Sequence, residues 1–531
     1  MKYPIGIQDF ESVIRDGFTY IDKTEIIHKL VTSGKSYFLS RPRRFGKSLL
    51  LSTLKCYYEN KRELFKGLAI DTLQPEPWEE HPVIHMSFAG GYFVEDGMLN
   101  RMIEGMLSDC EKKYGVEDRK QDITPRFIEI IRAARMQTGK RVVVLIDEYD
   151  KPMLDTFETT FMHTKANGEK ESLCEHHRTL LKQLYSAFKD ADADLQLVLL
   201  VGVTKFSQIS IFSGFNQPND ISMDPRYEAL CGITEDELYT CFGDRLRELA
   251  ELWGMNIDSV KAELKKKYDG YHFSMKNTDM YNPFSILNAL SKGIADDYWF
   301  KTGNPEYLIR LIQSTKLNIQ ELVGKRYTVS EFIDYKADDE RPLPMIYQSG
   351  YLTIKEYSPL SETYKLDFPN VEVARGFLPL LTNSYLKTKQ HSSTSLMAQV
   401  VEALGADNLD EVRDALTAFF ASIPYTAYRR KGMKAKEQHF HYTFYLLMRI
   451  LSTYLVYTEK CQSQGRVDCV IETHGNIYIF EFKLDGTADE ALQQIEDKGY
   501  ATEYLTDPRP LRKIGCVFLS KNGTIGEWKV Y

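Results

Sequence analysis

The sequence of 531 residues predicts an α/β fold built in two parts, and three observations carry that prediction. Apolar strand-like runs alternate with helix-like stretches over residues 1–235, the pattern of a parallel sheet covered by helices. One of those runs, Tyr37-Phe38-Leu39, leads through a loop ending Gly46-Lys47-Ser48 into a helix-like stretch. Near the other end, residues 465–483 read as two apolar strands joined by a turn and carry Asp468, Glu481 and Lys483.

The first strand continues as Ser40-Arg41-Pro42-Arg43-Arg44-Phe45-Gly46-Lys47-Ser48 and then Leu49 to Leu54. A strand, such a loop and a helix together make a phosphate cradle. Backbone amides and the helix N-terminus face the anion, the lysine reaches the outer phosphates, and the serine ligates Mg²⁺. Arg41 stands where the Gly-x4-Gly-Lys-Ser spacing expects a glycine, so Arg41, Arg43 and Arg44 are the expected substitutes as phosphate contacts, beside Phe45, Gly46, Lys47 and Ser48. Gly34-Lys35-Ser36 has the same three letters but precedes the strand, and it reads as a turn. The run Val142 to Ile146 ends in Asp147 and Glu148, placed to order Mg²⁺ through water and to polarise the attacking water. A third run, Leu195 to Val203, ends at Thr204, where a hydroxyl can meet the γ-phosphate or that water. The competing readings are an α/β domain whose strand ends are merely polar, and a nucleotide binder that no longer hydrolyses. The residue types Lys47, Ser48, Asp147 and Glu148 favour hydrolysis.

In the C-terminal hairpin, Glu481 and Lys483 share one face because they are two apart on a strand. A His474-Gly475 loop pairs Thr473 with Asn476 and sets Asp468 opposite Glu481; a Gly475-Asn476 loop pairs Asp468 with Lys483 instead. Carboxylates side by side destabilise a sheet unless something offsets them, and a divalent cation would. The plainer reading is a solvated polar face. Two flanking helices favour a site. Glu437, His441 and Tyr445 recur at helical spacing beside an apolar stripe of Phe440, Phe444, Leu447 and Leu451, bringing a third carboxylate; downstream, Ala488 to Ala501 stacks Gln494 and Lys498 one turn apart. Five basic residues between Arg429 and Lys436 directly precede Glu437 and would neutralise phosphates.

Helix with Glu437, strand with Asp468, strand with Glu481-Phe482-Lys483 and helix with Gln494 together resemble the PD-(D/E)xK nuclease superfamily. Val467 replaces the proline of the superfamily's name. The resemblance implies that Asp468 and Glu481 hold Mg²⁺, that Lys483 orients or activates the attacking water, that Glu437 supports metal or water, and that Gln494 assists. Pro4-Ile5-Gly6, Tyr20 to Thr24, Ser40 to Ser48, Ile146 to Asp150 and Gly202 to Phe206 are similar to the bacterial AAA-ATPase-like family, as are Tyr268 to Tyr271, Tyr281 to Ser285 and Tyr347 to Leu352. In that family arginines are usual in the loop. Asp22-Lys23-Thr24 would either pack near the nucleotide or cap a helix.

The two resemblances imply an N-terminal P-loop NTPase (AAA-like) parallel sheet with a helical lid, then a restriction-endonuclease-like α/β domain. The expected divisions are 1–235 ATPase core, 236–330 helical lid, 331–405 connecting region and 406–531 nuclease-like domain. Net charge of −8 and a pI near 5.9 argue against a protein that coats nucleic acid by bulk charge, so contact must be local. The eight cysteines form no Cys-x-x-Cys pair, which fits a reducing cytoplasm, and Cys174, His176 and His177 read as a helix surface rather than a metal site. No run reaches the roughly 18 apolar residues of a membrane span. ATP and Mg²⁺ are the expected cofactors and nucleic acid the expected partner, DNA ahead of RNA, with a homo-oligomer left open. The expected activity is ATP hydrolysis coupled to Mg²⁺-dependent nucleic-acid cleavage, with defence against mobile DNA as its setting. The alternative is a nucleotide-dependent assembly switch whose C-terminal domain binds without cutting.

Overall fold

The computed structural model describes residues 1–117, 120–157, 159–205, 218–302, 308, 310–311, 322–333, 342–377, 399–422, 455–462, 465–473, 475–521 and 523–531. They form two compact units, residues 1–372 and 373–531, and the division falls inside the stretch 331–405.

The first unit is built on a five-stranded sheet of β1 (Ser36–Ser40), β2 (Val83–Ser87), β3 (Val142–Asp147), β4 (Leu195–Gly202) and β5 (Asn219–Asp220), all parallel, in the order β2-β3-β4-β1-β5. Every residue of β3 is buried, and only one of β4 is not. Helices on both faces remove water from both sides of a parallel sheet, which is why these strands read as near-continuous apolar runs, broken in β4 only by Gln196, rather than alternating ones. Insertion of β4 between β1 and β3 aligns Ser40 with Gly202 and Ile146 with Leu200, so three carboxyl ends open on one edge. Helix α1 (Thr24–Ser33) precedes β1 and α2 (Lys47–Tyr58) follows it; α3 (Met98–Tyr114), α4 (Ile123–Thr138) and α5 (Leu173–Asp190) come from the later crossovers. Gly34 ends α1 and Ser36 already belongs to β1, as the turn reading of Gly34-Lys35-Ser36 expects.

Beyond the sheet the chain turns helical. Helix α6 (Glu235–Trp253) starts with a capping box between Thr234 and Glu237; Asn256 caps α7 (Ile257–Tyr268), and Asn282 caps α8 (Pro283–Lys292). Leu238, Leu246, Leu249, Val260, Leu264, Ile286 and Leu290 close one core between them. A three-stranded antiparallel sheet follows, β6 (Lys325–Tyr327), β7 (Thr353–Ser358) and β8 (Thr363–Asp367), with β8 central.

The second unit has β9 (Leu455–Gln462), β10 (Gly465–Glu472), β11 (Ile477–Leu484), β12 (Leu511–Leu519) and β13 (Thr524–Val530) in sequential order, antiparallel except for the parallel pair β11/β12. Helix α10 (Ala488–Asp497) makes the crossover that the parallel pair requires. Alternation sorts β11 between two cores. Tyr478, Phe480 and Phe482 pack with α9 (Leu409–Ser422), while Ile477 and Ile479 pack with Ile495 and Tyr500 on the opposite face. Glu481 and Lys483 continue the second face, the one that α10 covers.

Candidate active sites

At the edge of the parallel sheet the chain leaves β1 at Ser40 and enters α2 at Lys47. Two residues of the loop take left-handed backbone, Arg44 at φ 68° and Gly46 at φ 92°. The turn so formed leaves the first amides of α2 without an intrahelical acceptor, as an anion cradle needs. Arg43, Arg44, Phe45, Gly46, Lys47 and Ser48 all line a cavity of about 700 Å³, with Glu148 and Lys151 in the same wall. The Lys47 ammonium is buried and donates to the carbonyl oxygens of Arg41 and Pro42, each at 2.9 Å. Burial lowers its pKa, and the nearby carboxylates Asp147, Asp150 and Glu148 oppose that shift.

Asp147 ends β3, buried, and accepts the Glu148 amide at 2.9 Å. Glu148 stands at φ 50°, a strained conformation for a residue with a side chain, and such strain gathers at functional positions. Burial raises the Glu148 pKa and the Asp147 charge raises it further, the shift a general base benefits from. Thr204 is fully buried and its Oγ1 has no hydrogen-bond partner among the described residues. Neither Asp147 nor Thr204 reaches the cavity wall, whereas Glu148 and Asp150 do. One residue outside the sequence-based site set organises this edge. Asp150 accepts the amides of Val203 at 2.9 Å and Thr204 at 2.6 Å, tying the end of β4 to the end of β3. Its place after Glu148-Tyr149 was visible in the sequence; its main-chain partners were not.

Arg41 departs from its expected role. Its guanidinium is buried and donates to the carbonyl oxygens of Ser40 at 2.9 Å and Ser222 at 2.8 Å, with longer bonds to Tyr227 and Glu228 at 3.4 Å. It also stacks on Phe273, 4.1 Å from the ring centre, and lines a second cavity rather than the one that Lys47 lines. An arginine whose two terminal nitrogens meet carbonyls and whose face lies on a ring, with Nε alone unpartnered among the described residues, braces the loop from outside. Other braces come from far along the chain: Gly232 N donates to Phe45 O at 3.1 Å, Trp299 Nε1 to Arg43 O at 3.1 Å, and Tyr271 and Phe273 pack edge-on to Phe45. The motif segments from 268 to 352 thus include residues that hold the phosphate loop. Asp22 accepts from Thr24 N and Oγ1 at the start of α1 and from Ala69 N, a capping role, while Lys23 lines the cavity and pairs with Glu237 at 2.6 Å.

In the second unit the hairpin register is settled. Glu472 pairs with Ile477 and Cys469 with Phe480, and Thr473 N donates to Asn476 O at 2.9 Å. This is the Thr473–Asn476 pairing of the first alternative, and the Gly475-Asn476 alternative is excluded; His474 itself lies outside the described residues. Continuing it sets Asp468 against Glu481. The Asp468 carboxylate accepts the Phe482 amide at 2.8 Å, which fixes its Oδ2 at the strand boundary. Glu481 is 1% exposed, and its Oε2 has no hydrogen-bond partner among the described residues. Lys483 Nζ lies 3.5 Å from Glu481 and 2.6 Å from Gln494 Oε1, while Gln494 Nε2 donates to Glu481 Oε1. Burial pushes the Glu481 pKa up, and the facing Asp468 carboxylate adds to it. Two carboxylates disfavouring each other's charge, one with an orphaned buried oxygen, form a donor set suited to a hard divalent cation. Asp468, Glu481, Lys483 and Gln494 are therefore brought together. Glu437, its helix and the basic run before it lie outside the described residues.

A family model described as "Predicted AAA-ATPase" matches residues 4–212, and one for the "PD-(D/E)XK nuclease superfamily" matches residues 435–528. The "Uncharacterized protein in vnfD 5'region" of Azotobacter chroococcum mcd 1 is 35% identical over 525 residues, covering 97% of this chain and 96% of that protein. The chain belongs to this AAA-ATPase-like family. Its two units carry the architecture that the sequence motifs implied, an α/β nucleotide-binding sheet followed by a nuclease-superfamily sheet. Among the described residues, no helix is long and apolar enough to cross a membrane.

Proposed function

We propose that this protein binds and hydrolyses ATP and that nucleotide state governs a Mg²⁺-dependent nuclease in its C-terminal unit, acting on nucleic-acid phosphodiesters, DNA ahead of RNA. The observation that carries the proposal is the grouping of Asp468, Glu481, Lys483 and Gln494 on one face of β10, β11 and α10, with Glu481 Oε2 left unpartnered. Asp468 and Glu481 would hold Mg²⁺, which supplies Lewis-acid activation of the scissile phosphate. Lys483 orients the attacking water, and Gln494 keeps both Lys483 and Glu481 in place. In the first unit Lys47 and the α2 N-terminus take the ATP phosphates, Ser48 would ligate Mg²⁺ and Asp147 would order it through water, and Glu148 accepts the proton of the attacking water. Thr204 and Asp150 keep β4 against this edge. Cytoplasmic defence against mobile DNA is the setting offered.

The test is cleavage of labelled single- and double-stranded DNA and RNA with Mg²⁺, with and without ATP, by the full chain and by Lys483→Ala and Lys47→Ala. Cleavage that disappears in Lys483→Ala and responds to ATP only when Lys47 is present is the expected result. ATP hydrolysis with no cleavage of any substrate would refute the nuclease and leave the assembly switch.

A further inference from the structure

A cluster of metal-binding side chains lies in the first unit among residues that neither proposed site uses. Asp96 precedes α3, His163 sits in a short hairpin of Met162–Thr164 with Lys170–Ser172, and His176 lies in the first turns of α5. One ligand atom from each comes within 4.8 Å of the others. We propose that Asp96, His163 and His176 form a zinc site that staples the hairpin to the sheet domain.

Three features support an ion there. The imidazoles of His163 and His176 stack with centres 3.5 Å apart and planes 15° from parallel. Stacked rings direct their in-plane lone pairs side by side rather than at one point, so one imidazole must turn for both to bind a single ion, with bonds of about 2.0–2.1 Å. His176 Nδ1 meets Glu171 Oε1 at 3.2 Å, which assigns the proton to Nδ1 and leaves the lone pair on Nε2. That Nε2 is buried with no hydrogen-bond partner among the described residues, an arrangement that disfavours the empty site. A carboxylate behind a histidine is also how zinc ligands are oriented, and Glu171 is itself held by Lys165 at 3.1 Å. Asp96 Oδ1 now faces His163 Nδ1 at 2.8 Å, and the Asp96 side chain is about half exposed, with room to turn inward.

Two imidazoles and one carboxylate select Zn²⁺ over Mg²⁺, which demands oxygen ligands, and three protein ligands leave a position for water. The sequence hides the site because its donors are far apart: His176 and its neighbours have no metal spacing until the fold adds Asp96 and His163. Tyr92 and Val94, just before Asp96, line the cavity that holds Lys47, so the ion would also fix part of that wall.

The experiment titrates Zn²⁺ into the full chain carrying Asp468→Asn, which removes the C-terminal carboxylate pair as a competitor, using a chromophoric chelator as reporter. One equivalent bound, at least tenfold weaker binding in His163→Ala and in Glu171→Gln, and a thermal midpoint raised by Zn²⁺ only when His163 is present are the expected results. Co²⁺ should give visible tetrahedral bands that His163→Ala abolishes. No stoichiometric binding, or equal binding by His163→Ala, would overturn the site, and circular dichroism of that exposed-hairpin variant verifies that it folds.

Discussion

Replacing Arg41 by methionine separates bracing from phosphate binding. The substitution keeps most of the side-chain volume and removes the cation. It deletes two short charge-assisted bonds, at 2.9 and 2.8 Å to Ser40 O and Ser222 O, and the stack on Phe273 at 4.1 Å. Bonds of this kind contribute about 1.5–3 kcal/mol each, and a desolvated cation on an aromatic ring about 2 kcal/mol. Relief of the buried cation's desolvation offsets part of this, and breaking a buried charge's contacts usually costs about 3–5 kcal/mol. A loss of about 4 kcal/mol follows. For a cooperative unit of residues 1–372 the unfolding entropy is about 0.8 kcal/mol per kelvin, so the midpoint should fall by about 5 °C. Thermal unfolding by calorimetry measures this, and ATP titration below the transition measures affinity, expected within threefold of wild type. An unchanged midpoint with ATP binding weakened more than tenfold would refute the bracing role and return Arg41 to the phosphates.

Burial pushes Glu372 up to about 7 despite hydrogen bonds from Ser285 Oγ and Trp299 N. A folded-state value above the unfolded one means that its stabilising effect is complete below about pH 4.5 and is lost as pH rises through 7; Glu372→Gln should flatten the decline of the midpoint between pH 5 and 7.5. Glu148→Gln should retain ATP binding and lower hydrolysis about 10²–10⁴-fold, as loss of a general base does, measured by phosphate release. Gln494→Ala should leave the midpoint nearly unchanged and reduce Mg²⁺-dependent cleavage about 10–100-fold, because Lys483 and Glu481 lose their common bridge. Gly350→Ala would put a Cβ 2.7 Å from the Pro42 ring at φ +87°, and it should both destabilise the first unit by about 1–3 kcal/mol and weaken ATP binding by shifting the loop.

Much of this architecture was legible because its causes are local. Strands buried on both faces are predominantly apolar, so Val142 to Ile146 and Leu195 to Val203, with Gln196 its one polar member, announced themselves, and the polar residue that follows each run marks the sheet edge. The C-terminal face was legible by period-two alternation, since Glu481 and Lys483 can share a side only on a strand. What escaped was long-range. Nothing near Arg41 in the chain says that its partners are the carbonyls of Ser222 and Tyr227, or that Trp299 and Gly350 press on the loop from about 250 and 300 positions away. Two hairpin registers had equal local support, and the Asn476 carbonyl bonded to Thr473 N decides between them. The histidine cluster was invisible for the same reason: Asp96 and His176 are joined only by the crossovers of the sheet.

The Lys47 ammonium, held at 2.9 Å by Arg41 O and Pro42 O, has one more implication. A cation buried without acceptors would strain its own loop and make the ligand-free molecule a transient species. Here the loop supplies its own acceptors, so a phosphate that reached Lys47 would have to displace two carbonyls rather than meet a bare charge. That exchange of acceptors sets part of the cost of nucleotide binding.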